Sequence, residues 1–316
     1  MTLAMDTTEE LPLSMQPVPS FFGASIGDIE DLSEGKIAVT GIYCDHFSGG
    51  KPGARYAARQ LRYASWSSLA HEPTPPASDM IIDVGDLNVF PTEPAKTMSI
   101  LEEQSRRIHQ TGAKLLALGG DYSVIPALVL GQLQATQDSR LQIIRISRRL
   151  DAATIPDPRK TPLARACATR QLGEYCGGAS SVTLLGVSDV TALEEYDYFS
   201  GAFVRSARQL TPESDKLVDE IVAGLAHPNV TFYLSVDIDV LAWPSICTNS
   251  PYLGTGLTPE QLIMLIEALG KLPIAGADVT GFIPDLDVSG SSASATVARI
   301  SRCVLEAMSQ EVSRCL

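Results

Sequence analysis

Five side chains capable of proton transfer or cation binding stand where short apolar runs give way to loops. LGGDYS (118–123) carries Asp121 and Tyr122, LQIIRISRRLD (141–151) ends on Asp151, and SVDIDV (235–240) carries Asp237 and Asp239. Asp237 and Asp239 are two residues apart, so on a strand both carboxylates face the same way. Two such groups within a few ångströms repel each other unless a cation or a proton lies between them. Tyr122 reads equally as an acid whose hydroxyl points at the carboxylates or as a ring that fills space. His46, in CDHFSGG, reads as a general base or as a loop histidine facing water. Cys247, in WPSICTNSPY, reads as a nucleophilic or redox thiol or as a buried inert one. Arg145, Arg148 and Arg149 form either a solvated basic run or the partners of the acids, and a strand end buried under helices favours pairing.

Seven short runs rich in Val and Ile supply the frame for these loops: KIAVTGIYC, MIIDVGD, KLLALGG, LQIIRIS, SSVTLLGVS, FYLSVDIDV and PIAGADVTGF. They read as strands covered on both faces, the pattern of a parallel sheet. Between them lie the helical stretches PAKTMSILEEQSRRIHQTG, TPESDKLVDEIVAGLAHP and TPEQLIMLIEALGKL. In the last, Leu262, Leu265, Ile266 and Leu269 make one apolar stripe behind an N-cap at Thr258, a first-turn Pro259 and an early acid at Glu260. The alternation predicts a three-layer α/β/α fold with a mainly parallel central sheet and ligands at the carboxyl ends of its strands. Residues 1–30, polar and aperiodic, read as a tail or oligomer arm, and 31–316 as one α/β domain.

Composition narrows the partners. A 316-residue chain with 45% hydrophobic residues buries a large core, and a formal charge of −13 opposes nucleic acid and anionic membranes. No run reaches membrane-spanning length, and the first residues lack a basic segment followed by an apolar one, so a soluble cytoplasmic protein is expected. Six scattered cysteines fit free thiols in a reducing compartment. Glycine-rich nucleotide-binding patterns are absent, and no cofactor is expected.

From about residue 36 onward, the ordered series GIYCDHFSGGKPGARYAARQLR, DVGD, LGGDYS, LQIIRISRRLD, FYLSVDIDVL and IAGADVTGF resembles the ureohydrolases, the arginase and agmatinase superfamily. The resemblance implies an arginase-like fold, trimers or hexamers, and a paired manganese centre held by GGDHS, DAHxD and SxDxD motifs, whose bridging hydroxide attacks a guanidinium carbon. This chain departs from those motifs. The GGDHS histidine falls on Tyr122, and the DAHxD triplet falls on Ser147, Arg149 and Asp151. Of these ligands only Asp151, Asp237 and Asp239 are kept. The acid that follows SxDxDxL falls on Ala242, the GTGTP loop reads TNSPY at 248–252, and the substrate-side glutamate falls on Gly281.

Guanidinium cannot ligate a metal but can replace one as a cation. Arg149 is therefore expected to plug the space among Asp151, Asp237 and Asp239, with no metal bound. The catalytic candidates are Asp237, Asp239, Asp151, Tyr122 and His46; the substrate-binding candidates are Arg149, Arg148, Asp121, Asn249 and Cys247. Three functional readings stay open: a repurposed, metal-independent enzyme doing acid/base chemistry on a small molecule (cyclisation, elimination, isomerisation or hydrolysis), with specialised metabolism as a setting; a pseudoenzyme that binds or stabilises a partner; and retained guanidino hydrolysis.

Overall fold

The computed structural model describes residues 18–45, 51–69, 78–87, 89–90, 92–138, 140–154, 165–188, 193–210, 215–242, 256–287 and 292–310. Nine parallel strands form one sheet: β1 (Ser25–Ile26), β2 (Ile37–Ile42), β3 (Ile81–Leu87), β4 (Lys114–Leu118), β5 (Leu141–Ile146), β6 (Val182–Val187), β7 (Phe203–Ser206), β8 (Thr231–Asp237) and β9 (Ile274–Thr280), in the order β1-β3-β2-β4-β9-β8-β5-β6-β7. All seven expected runs are strands. The two that sequence patterning did not single out, β1 and β7, are the edges: they are short and not fully covered, so they lack a long apolar run.

Eight α-helices flank the sheet: α1 (Ala57–Leu69), α2 (Pro94–Gln110), α3 (Ile125–Thr136), α4 (Ala168–Tyr175), α5 (Leu193–Tyr198), α6 (Asp215–Leu225), α7 (Pro259–Leu269) and α8 (Ser292–Ser309). On one face Ile144, Ile146, Leu234, Val236, Ala277 and Val279 pack with residues of α1, α6, α7 and α8. On the other face the alternate positions of the same strands meet α2, α3 and α4. α7 begins as its sequence predicts, with Thr258 as N-cap, Pro259 in the first turn and Glu260 as an early acid, and Gln261 adds a capping box with Thr258.

Residues 18–30 of the stretch expected as a tail or arm are among those described, and part of them is buried. Phe21 and Phe22 are buried, and the Phe21 amide donates to Asp83 at 2.9 Å. Two aromatic rings outweigh the polar residues around them, because burying a ring removes far more apolar area than its neighbours cost. Among the described residues no helix is long and apolar enough to cross a membrane, and Cys44, Cys167, Cys176 and Cys303 are free thiols.

Candidate functional site

Strand register builds the site. Leu118, Val279, Val236 and Ile146 lie abreast across β4, β9, β8 and β5. One residue further along each strand come Gly119, Thr280, Asp237 and Ser147, at the carboxyl edge. One pleat below them Asp278, Ser235 and Arg145 lie abreast. Side chains two apart share a face, so the buried side of the sheet carries two stacked polar rows: Asp278, Ser235 and Arg145 beneath Thr280, Asp237 and Ser147.

Arg145 is the centre of this cluster. Its side chain is fully buried; Nη2 lies 2.6 Å from Asp151 Oδ2 and 3.7 Å from Asp237 Oδ2, and the guanidinium carbon sits 5.3 Å from the centre of the Tyr122 ring. Arg149, which the sequence reading placed among the three acids, stands at the rim instead. Its Nε is 4.0 Å from Asp239 Oδ2, and its side chain keeps 24% exposure. The reason is register: Arg145 lies on the strand, in the same row as Asp278 and one pleat below Asp237, while Arg149 lies four residues on, in the loop. A charged residue inside the apolar run LQIIRIS was the available signal. Asp278 was missed for a related reason, because its strand was read for hydrophobicity alone.

Asp237 accepts a hydrogen bond from Ser147 Oγ at 2.9 Å and one from the Asp239 amide at 2.7 Å. Burial, then the charge of Asp239, pushes its carboxyl up; Arg145 and a hydrogen bond from the Tyr122 hydroxyl pull it back, leaving it at about 7. Asp278 is likewise raised to about 7 by burial, against the opposing pull of Arg145 and the hydroxyls of Ser235, Tyr233 and Thr280. Asp151 takes a left-handed backbone (φ 49°), which aspartate tolerates better than most residues.

Tyr122 combines both of its sequence readings. It is buried, and its ring fills space directly over Gly281: a Cβ added there would come within 2.9 Å of Tyr122 Cζ and 3.0 Å of Asp237 Oδ1. Its hydroxyl also bonds Asp237. The large ring of Tyr122 and the absent side chain of Gly281 therefore fit together.

The remaining candidates fall into three groups. Asp121 caps the short 3-10 turn Tyr122–Val124, accepting from the Ser123 amide at 3.0 Å, and so orients Tyr122. Arg148 is buried, and its Nη2 donates to the Leu241 carbonyl at 2.7 Å beside the Leu241–Leu257 bridge. It is thus a strut beside that bridge. His46, Cys247 and Asn249 lie outside the described residues, as do Trp243 and Tyr252.

Known proteins share this scaffold over most of its length. The sequence profile described as the Arginase family matches residues 35–306. A formimidoylglutamase of Halobacterium salinarum is 25% identical over 308 residues, covering 93% of this chain and 96% of that protein. An agmatinase of Escherichia coli is 27% identical over 299 residues, covering 88% and 85%. The crystal structure of formimidoylglutamase from Bacillus subtilis superposes with a TM-score of 0.80 at 19% identity, over 96% of this chain and 97% of that one.

Proposed function

The chain belongs to the arginase family, and from that premise we propose that it is an enzyme acting on a small molecule by acid/base chemistry at the carboxyl edge of β4, β9, β8 and β5, without a manganese pair. The observation that carries the reading is Asp237: a fully buried carboxyl held at about 7 and hydrogen-bonded by Tyr122. A carboxyl poised near neutrality both gives and takes a proton under ordinary conditions. Tyr122, bonded to the same carboxyl, extends that proton path. Cyclisation, elimination, isomerisation and hydrolysis all need such a relay. Arg149, at the solvent side of the cluster, suits a carboxylate or a polarised carbonyl on the ligand.

The manganese pair implied by the family does not suit these donors. The described cluster offers carboxylates, a phenol and guanidinium groups but no imidazole, and guanidinium does not ligate metals. Arg145 sets a positive charge 2.6 Å from Asp151 and 3.7 Å from Asp237, between carboxylates that two ions would otherwise share. Among the described residues no group of three His, Cys, Asp or Glu side chains is arranged to hold a metal.

A second reading, hydrolysis of a carbon–nitrogen bond in an amidino or formimidoyl compound, is favoured by the names of the relatives, formimidoylglutamase and agmatinase. One experiment separates the two. Purified protein is incubated with formimidoylglutamate, agmatine and guanidino acids, with Mn²⁺ or with a chelator, beside the Asp237→Asn variant. Turnover that survives chelation and vanishes in a folded D237N protein supports acid/base chemistry. Close to a pair of manganese ions per chain, with Mn²⁺-dependent release of urea or formamide, would sink it. If nothing is turned over, the partner-binding pseudoenzyme takes its place. The same proposal takes the chain as a cytoplasmic, single-domain protein, and the family resemblance supports a homo-oligomer, a trimer or hexamer.

A further inference from the structure

Two buried arginines in this molecule do different jobs. Arg62 grips Asp83 with two parallel bonds, Nε and Nη2 each at 2.8 Å, and adds Asp86 through Nη1. That is a fork matched to one carboxylate, the usual structural pairing. Arg145 makes no such fork. One nitrogen, Nη2, serves both Asp151 and Asp237, while Nε and Nη1 are buried with no hydrogen-bond acceptor.

A guanidinium that leaves two of its nitrogens unbonded in a dry interior is costly unless its charge is what the site needs. The charge is well placed for that. Asp151 and Asp237 are within 3.7 Å of it. Asp278 lies in the same sheet row, across Ser235, and Asp239 lies in the 3-10 turn Ile238–Val240 that follows β8, rather than on the strand with Asp237. The Tyr122 ring lies over the guanidinium at 5.3 Å, adding a cation–π contact to a charge already set among acids.

From this we infer that Arg145 is a resident cation: it stands in for the divalent ions of the fold and keeps the carboxylates assembled whatever the metal supply. The inference rests on the metal-free reading of the site and says which side chain makes that reading work. It does not depend on any particular reaction.

The test uses the full chain and Arg145→Met, which keeps an unbranched stem and removes the charge. Tm is measured in chelator and across a Mn²⁺ titration, and bound metal is quantified after dialysis. The wild type is expected to hold no manganese and show no shift. R145M is expected to lose stability in chelator and regain it as Mn²⁺ rises, because a ligand that binds only the folded state raises Tm with its concentration. A wild type that retains manganese overturns the metal-free reading itself. A wild type without manganese, together with an R145M protein indifferent to it, leaves that reading standing and overturns the resident cation. Should R145M fail to fold, Arg145→Met combined with Asp151→Asn decides: recovery of folded protein supports charge balance, and failure to recover assigns Arg145 to packing alone.

Discussion

Replacing Gly281 with alanine probes the fit between Tyr122 and the strand beneath it. Gly281 has φ 81°, a left-handed conformation that costs an L-residue about 1–2 kcal/mol. The added methyl group also lands 2.9 Å from Tyr122 Cζ and 3.0 Å from Asp237 Oδ1, well inside van der Waals contact, with the Tyr122 hydroxyl nearer still. Overpacking of this kind costs about 1–3 kcal/mol. The sum, about 2–5 kcal/mol, lowers Tm by roughly 3–8 °C in a chain of this size. The Tyr122→Phe background separates the two contributions, because it removes the atom nearest the new methyl and leaves the backbone cost unchanged. G281A is therefore expected to cost less in Y122F than in the wild type, a coupling of about 1 kcal/mol or more for side chains in contact. Thermal unfolding of the four proteins measures it. Equal losses in both backgrounds would refute the argument that Tyr122 occupies the space glycine vacates.

The buried acids set a pH dependence. Asp278 is raised from 3.8 to about 7, so between those values the folded state holds a proton that the unfolded state has released. Its contribution to stability is complete below about pH 4 and is lost as pH rises through about 7. Asp278→Asn abolishes that slope, so the Tm of the variant relative to wild type should climb from pH 4 to pH 8, by up to about 1.4 kcal/mol of stability per pH unit; parallel curves would contradict the burial argument. Arg148→Lys keeps the charge but not the planar donor fork that reaches the Leu241 carbonyl. Losing a buried charged hydrogen bond costs about 1.5–3 kcal/mol, and an unchanged denaturation midpoint would remove Arg148 from its role as a strut.

How much of this was legible in the sequence depends on what fixes each feature. The seven strands and the stripe of α7 follow from periodicity, since burial on two faces, or on one helical stripe, leaves a repeating signature in a single chain segment. The edge strands leave none, and the buried pair Phe21–Phe22 was hidden inside a polar stretch. The acids Asp151, Asp237 and Asp239 were found because each sits at a strand end with a motif around it. Their cation was misassigned because pairing across strands depends on register, and register is a relation between segments. Arg145 pairs with Asp151 six residues on and faces Asp237 from the neighbouring strand; only alignment of β5 with β8 reveals that Arg145, not Arg149, lies beneath the carboxylates.

Gly281 and Tyr122 carry the same lesson further. Read separately, each is an ordinary loop residue, a glycine after a strand and a tyrosine in a turn. Read together in space, they are one exchange of volume, in which the residue without a side chain admits the ring that lies over Arg145. Arg145, Tyr122 and Gly281 thus depend on one another: the guanidinium balances the acids, the ring lies over the guanidinium, and the glycine makes room for the ring. Independent drift at three positions has no reason to leave charge, cover and space all balanced at once. That mutual dependence is the physical ground on which the proposed metal-free site stands.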